Sequence, residues 1–284
     1  MIDDFVVFIL SYGRPNNVKT YNTLKRFGYT GKIYIICSSD DTLLSDYKKK
    51  YNNEIVVFDK NKIDVDLGDN FTDQRVVVYA RNAVFKIAKK LSYKYFLVLD
   101  DDYTDFSYRF DEKYKYQIGR GYIKNVNDIF KAVLEFYKKT PAKTVALSQN
   151  GDWIGGKDSS FAKKLQLKRK CMNSFFCSTD RPFKFLGRVN EDVTTYIRLG
   201  AVGDLFFTIP NVSLKQTDTQ QNQGGLTEIY LSQGTYLKSF YSVIYNPSSV
   251  KVAILNTERS RLHHKVNWNN AVPKILKEQY KKTI

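Results

Sequence analysis

The sequence predicts an α/β protein: a mainly parallel sheet flanked by helices, with an elaborated, less regular C-terminal half. Two observations predict it. Through the first hundred residues, short apolar runs rich in β-branched and aromatic residues alternate with amphipathic stretches of helical length. Strands separated in this way pair in parallel. One such run, Phe96-Leu97-Val98-Leu99, stops on three consecutive carboxylates, Asp100, Asp101 and Asp102. Open α/β sheets bind ligands at the carboxyl ends of their strands. Three adjacent negative charges there repel one another unless something positive sits among them. A solvated acidic turn is the plainer reading, and the rest of the chain decides between the two.

The elements follow in order. Phe5 to Leu10 is a buried strand, and the turn Ser11-Tyr12-Gly13-Arg14-Pro15 leads to a helix over Val18 to Phe27. Ile33 to Cys37 is the second strand; Ser38-Ser39-Asp40-Asp41 caps a helix over Thr42 to Tyr51. Ile55 to Phe58 is the third strand. Gln74 to Leu91 carries one apolar stripe and reads as a long helix before the acidic strand. The second half gives a helix over Ile123 to Tyr137 and a strand over Thr144 to Ser148. Short strands follow at Phe175 to Ser178 and Phe183 to Leu186, then a helix over Asn190 to Leu199 and a strand over Leu205 to Ile209. A polar loop at Gln216 to Gly225 leads into a helix to about Phe240. Val250 to Leu255 is the last strand, before a tail with His263, His264 and a terminal basic helix. There is neither an internal repeat nor a long linker, so residues 1–284 read as one domain. The more regular first part spans residues 1–110 and the less regular second part 111–284.

Composition narrows the function. With 43% hydrophobic and 15% aromatic residues the chain buries a sizeable core. Net charge is +16, from 45 Lys and Arg against 29 Asp and Glu. Such an excess points to an anionic partner, set against a simple solubility surplus. The basic run Lys163 to Lys170 and the tail Lys274 to Lys282 are the candidate phosphate contacts. Cys37, Cys171 and Cys177 show no metal-like spacing and imply a reducing compartment, the cytoplasm. Neither a signal peptide nor a membrane-length apolar segment is present.

Five constellations could carry chemistry. Asp100 and Asp102 suit a hard divalent cation that shares its shell with a diphosphate, with Asp101 between them. Ser11, Tyr12 and Arg14 after the first strand, and Asp40 and Asp41 after the second, open on the same sheet edge. There they read a base, a diphosphate and a ribose, or simply form a turn and a helix cap. Arg75, Arg81 and Asn82 lie on the long helix, reaching donor phosphates or standing in solvent. Glu191 and Asp192 open a helix, either as dipole-favoured caps or as a general base. His263 and His264 are the chain's only histidines, and an imidazole can complete a metal's coordination.

Together these pieces resemble a GT-A fold glycosyltransferase. The shared features are a Ser-Tyr-Gly-Arg loop, an Arg-Asn helix, a DxD pattern at Asp100-x-Asp102, an acidic pair at Glu191-Asp192 and a late histidine, in that order. More narrowly, Gly187-Arg188-Val189-Asn190-Glu191-Asp192-Val193-Thr194, Gln223-Gly224-Gly225 and Arg261-Leu262-His263-His264-Lys265 are similar to the TET-associated glycosyltransferases, phage proteins related to the base J glucosyltransferases. The resemblance implies a GT-A-like, Rossmann-type sheet and transfer of a hexose from a UDP-sugar to the hydroxymethyl group of a 5-hydroxymethylpyrimidine in DNA. It implies Mn2+ or Mg2+ on Asp100 and Asp102, the latter the more direct ligand, with His263 or His264 as a third. Asp192 becomes the base of an inverting reaction, with Glu191 beside it. Ser11, Tyr12, Arg14, Asp40, Arg75, Arg81, Asp100 and Asp101 line the donor site. Tyr103, Phe106, Tyr108 and Trp153 are candidates to stack on a flipped base, set against a plain place in the core. The expected partners are double-stranded DNA and a nucleotide sugar, with no membrane and the chain acting as a monomer. Two other readings keep parts of this picture: a saccharide or protein acceptor on the same fold, and a DNA-binding module whose donor site has decayed.

Overall fold

All six residues of β1 (Phe5–Leu10) are buried, which requires cover on both faces of the sheet. Phe5, Val7 and Ile9 point into one core, and Val6, Phe8 and Leu10 into the other. The first core is closed by α1 (Lys19–Arg26), α2 (Leu44–Tyr51) and α4 (Val126–Lys138). The second is closed by α3 (Val78–Lys90) and α5 (Glu191–Ala201). The structure is a computed structural model that describes residues 4–153, 155–159, 162, 171–217, 234, 236–255, 260–275 and 277–281, with backbone only at 118–122.

Nine strands form one sheet in the order β3-β2-β1-β4-β8-β7-β9-β5-β6. Beyond β1 these are β2 (Ile33–Ser38), β3 (Ile55–Phe58), β4 (Tyr95–Asp100), β5 (Tyr103–Phe110), β6 (Tyr116–Tyr122), β7 (Thr144–Gln149), β8 (Ser174–Ser178) and β9 (Phe206–Gln216). The expected α/β class holds, and β3, β2, β1 and β4 run parallel, so their carboxyl ends share one edge. β8 joins β4 antiparallel and carries the sheet into the second half, where only β7 and β9 pair in parallel. β10 (Val250–Leu255) and β11 (Arg261–Val266) form a separate antiparallel ribbon next to α6 (Leu237–Tyr245). Among the described residues, no helix is long and apolar enough to cross a membrane. All three cysteines are free and buried.

Several expected elements change. The helix foreseen from Gln74 begins at Val78, because the carbonyls of Phe71 and Asp73 are held by Arg188 in a non-helical strap. Phe183 to Leu186 is not a strand. The Asn82 side chain brackets Phe185, accepting from its N–H at 2.8 Å and donating to its carbonyl at 3.0 Å, in place of a neighbouring strand. β9 runs seven residues beyond the foreseen end at Ile209. Pro210 is absorbed where the pairing with β7 jumps from Ile209 to Ser213, an irregularity that tolerates a missing N–H. β5 and β6 were not foreseen, since Thr104, Asp105, Ser107 and Arg109 hide the alternation; Arg109 is buried on Ser213 and Asn150. The terminal basic helix is reduced to α7 (Trp268–Ala271) and a 3-10 turn at Glu278–Tyr280, with Pro273 between them. The run 163–170, and most of the polar loop and the helix start foreseen after it, lie outside the described residues.

Gly200 in α5 faces the Ala271 carbonyl so closely that a β-carbon would sit 2.5 Å from its oxygen. In an exposed helix, Gly→Ala stabilises by about 1 kcal/mol. Here Gly200→Ala is expected to destabilise, measured as a lower urea midpoint; a higher midpoint would show that α7 does not pack as described.

Candidate active site

Arg81 is the hub of the sheet edge. It lies on α3, is only 1% exposed, and stacks its guanidinium between Phe175 and Phe185, with ring centroids 5.0 and 5.7 Å away. Its Nε donates to Glu191 Oε1 at 2.7 Å, and its Nη2 donates to both Asp100 oxygens at 3.0 and 3.3 Å. One side chain therefore ties the end of β4 to the first turn of α5. Sequence reasoning placed Arg81 at the donor phosphates; the structure instead brings it into an internal ion-pair cluster.

The acidic turn is fixed from three further sides. Thr20, at the start of α1, donates its hydroxyl to the Asp100 carbonyl at 2.5 Å and its N–H to the Asp101 carbonyl at 3.0 Å. Ser11 donates to Asp101 Oδ2 at 2.5 Å while its oxygen contacts the Tyr47 hydroxyl at 2.6 Å; Arg14 Nη1 lies 3.4 Å from Asp101 Oδ1. The expected ligand contacts Ser11 and Asp101 are thus bonded to each other, an arrangement that locks the first loop onto the turn. Asp102 is gripped from the end of β9, where Gln216 bonds its carboxylate and the next residue, Thr217, donates to its carbonyl. The remaining expected contacts line the mouth. Tyr12 is half-buried, with Lys60 Nζ 4.5 Å from its ring centre, and Lys60 also donates to Asp40 at 2.9 Å. Burial raises the Asp40 pKa, but hydrogen bonds from Ser38 and Lys60 outweigh it and hold the carboxyl below its ordinary value. Asp41 is structural: it accepts from the N–H groups of Gly13 at 2.7 Å and Leu43 at 2.9 Å.

On the acceptor side, Asp192 accepts from the N–H of Val193 at 2.7 Å through Oδ1, and its charge is felt at Arg81 and Asp100. Asn190, in the left-handed conformation at φ 60°, turns the chain into α5 and donates to Ser242 at 2.5 Å, with His264 Nδ1 at 3.4 Å. The His263 and His264 rings lie 4.2 Å apart. Among the described residues, no three His, Cys, Asp or Glu side chains gather as a metal-ligand set, so the expected histidine ligand is not brought to the carboxylates. Tyr103, Phe106 and Trp153 are core residues; of the aromatics expected to stack on a base, only Tyr108 is exposed.

Two residues with structural roles at the site went unassigned in the sequence. Lys60 stands just beyond β3 on the same edge as Asp40, and that position was its signal. Arg188 is 2% exposed and clamps Asp69 with two bonds of 2.7 Å, while also holding the Phe71 and Asp73 carbonyls. Tyr241 and Tyr245 of α6 add bonds to Asp69 and Asp66. The clamped strap carries Arg75, paired to Asp73 at 2.8 Å, whose charge reaches Tyr12. Arg188 and Asp69 are 119 residues apart, and nothing local announces the contact.

The donor set at the turn suits a hard cation. Asp100, Asp101 and Asp102 are each pushed up to about 6, foremost by burial; Asp102 further raises Asp100, and Asp101 further raises Asp102. Mg2+ and Mn2+ take one or two such carboxylates and complete their shells with water and phosphate oxygens. Glu191 is pushed up to about 7, first by burial and then by Asp192 and Asp100, against the pull of Arg81. A carboxyl raised in this way holds more protons in the native state than in the unfolded chain. Its stabilising contribution is present below the ordinary value of 4.5 and is lost as pH rises through about 7. In urea unfolding at pH 5.5 and 7.5, the unmodified protein is expected to lose more stability over that interval than Glu191→Gln; equal losses would contradict the shift.

No curated protein matches the chain by sequence. Among solved structures, similarity extends to glucosyl-3-phosphoglycerate synthase from Mycobacterium tuberculosis in complex with Mn2+, UDP and phosphoglyceric acid. That match has a TM-score of 0.44 and 10% identity, over 92% of this chain and 86% of that one. S. aureus TarS is similar at a TM-score of 0.44 and 13% identity, over 83% of this chain and 39% of the other. A 1-349 form of TarS in complex with UDP-GlcNAc gives 0.43 and 11%, over 86% and 73%. Residues 5–225 match the model of the TET-Associated Glycosyltransferases, and the chain belongs to that family.

Proposed function

We propose that this glycosyltransferase moves a hexose from a UDP-sugar to the hydroxymethyl group of a 5-hydroxymethylpyrimidine in double-stranded DNA, with inversion at the sugar carbon. The observation that carries the reading is the pairing of two acidic elements across Arg81: the turn Asp100–Asp102 on the donor side and Glu191–Asp192 on the acceptor side. The family supports the DNA acceptor through its association with TET, and the net charge of +16 agrees with a polyanionic substrate.

On this reading, Tyr12, Asp40 and Lys60 receive the base and ribose at the ends of β1, β2 and β3. Arg14 and Arg75 face the diphosphate. Asp102, with Asp100 beside it, would hold a Mn2+ or Mg2+ ion, which would supply positive charge to the departing diphosphate. Asp192 is the base. Its Oδ1 is fixed by the Val193 N–H, and Oδ2 takes the proton from the hydroxymethyl oxygen as that oxygen attacks the anomeric carbon. The new C–O bond forms as the bond to the diphosphate breaks, and the electron pair leaves with UDP. Glu191 acts through Arg81, holding α5 in register with the turn. Residues 1–110 serve the donor and 111–284 the acceptor, within one domain acting as a monomer in the cytoplasm.

The test is to incubate the protein with UDP-glucose and UDP-N-acetylglucosamine, a divalent cation, and DNA containing 5-hydroxymethyluracil or 5-hydroxymethylcytosine. The DNA is then digested and its nucleosides weighed. The expected product is a nucleoside heavier by one sugar residue; sugar appearing only on a saccharide or protein acceptor would contradict the reading. Asp192→Asn is expected to lower turnover about 10²- to 10⁴-fold with UDP binding intact. Unchanged turnover would remove Asp192 as the base.

A further inference from the structure

We infer that Gln216 and Asn173 are positioning residues that fix the Asp102 carboxylate for a divalent cation, through a chain of bonds anchored on the buried Tyr103. This rests on the reading of Asp102 as the ion's ligand and names what sets that ligand in place. The two bonds from Thr217 reach the main-chain carbonyl of Asp102. They fix the backbone of the turn, not the side-chain torsions. The carboxylate itself is bonded by Gln216.

The chain of bonds can be followed atom by atom. Tyr103, which is fully buried, donates its hydroxyl to the Asn173 carbonyl at 2.6 Å and accepts from Gln149 Nε2 at 3.4 Å. Asn173 Nδ2 donates to Gln216 Oε1 at 3.2 Å. With Oε1 accepting there, the NH2 end of the Gln216 amide is the one turned to Asp102. An ionised carboxylate only accepts, so this orientation satisfies both neighbours at once. The reverse would set oxygen against oxygen at Asp102 and NH2 against NH2 at Asn173.

The fold brings these residues together from three strands. Tyr103 opens β5 and faces Gln216 at the end of β9. Asn173 precedes β8, whose Ser174 pairs with Leu99, one residue before Asp100. Asn173 takes the left-handed conformation at φ 51°, which Asn adopts more readily than most residues. From there its carbonyl serves Tyr103 and its side chain serves Gln216. Gln216 is neutral, so its bond orients the carboxylate without cancelling the charge a cation needs. Carboxylates that ligate metals are held by such bonds, and losing one typically costs about 10- to 100-fold in metal affinity or activity.

The test is a titration with Mn2+ alone, following the paramagnetic resonance of the free ion, on the unmodified protein, Gln216→Met, Asn173→Gly and Asp102→Asn. Gln216→Met keeps the side chain's length and removes the amide; it is expected to weaken Mn2+ binding about 10- to 100-fold. Asn173→Gly accepts the left-handed conformation and leaves Gln216 its own bond to Asp102, so a smaller loss is expected. Melting temperatures without metal are expected to stay close to that of the unmodified protein in both, because the Thr217 bonds are untouched. Unchanged Mn2+ affinity in Gln216→Met and Asn173→Gly, with the affinity lost in Asp102→Asn, would overturn the positioning role and leave Asp102 standing as the ligand. If Asp102→Asn binds Mn2+ as well as the unmodified protein, or if the unmodified protein does not bind it, the ligand reading and the positioning role both fall.

Discussion

The site depends on one buried guanidinium. Arg81 sits among Asp100, Glu191 and Asp192, and its neighbours on either side are aromatic rings rather than water. Burying such a group costs several kcal/mol per charge, and only good geometry with opposite charges recovers it. That geometry is supplied by residues from three elements: the end of β4, the middle of α3 and the start of α5. Burial is the main reason the carboxyls at the turn are pushed up, and repulsion among them adds to it. A turn in this condition is a receptive place for a cation, and its backbone is already fixed by Thr20, Ser11 and Thr217.

A second constraint couples the C-terminal segment to the donor side. The strap between β3 and α3 has no regular structure to hold it in place. Arg188 supplies the missing order by taking a carboxylate and two backbone carbonyls at once, and two tyrosines of α6 reinforce the grip. The same region carries the β10–β11 ribbon. The C-terminal segment is therefore mechanically continuous with the strap that carries Arg75. Hydrogen bonds to charged groups contribute more than neutral ones, so this clamp is a substantial part of how the two halves share one sheet edge.

What could be read from the sequence follows from the range of the interactions. β1 to β4 were legible because a strand buried on both faces is a continuous apolar run, and the end of β4 was marked by its own carboxylates. The pairing of Asp100–Asp102 with Glu191–Asp192 was legible as an order of motifs. Its agent was not, because an arginine on an amphipathic helix looks solvated until its partners are placed. Ser11 and Asp101 were read as ligand contacts for the same reason: sequence gives the sheet edge, not which polar groups satisfy one another there. Pro210 concealed the second half of β9, since a local rule against proline in strands cannot anticipate a register jump. Asn82 standing in for a strand at Phe185 left no local pattern at all.

The most direct test of the Arg81 hub is a double-mutant cycle in urea unfolding at pH 7.5, using Arg81→Met, Glu191→Gln and the pair. Arg81→Met alone leaves two buried carboxylates without their cation and is expected to cost about 3–5 kcal/mol. If Arg81 joins the acidic turn to α5 as described, adding Glu191→Gln to it recovers part of that loss. The two substitutions then depart from additivity by about 1 kcal/mol or more. Additive effects, within about 0.5 kcal/mol, would contradict the central place given to this arginine.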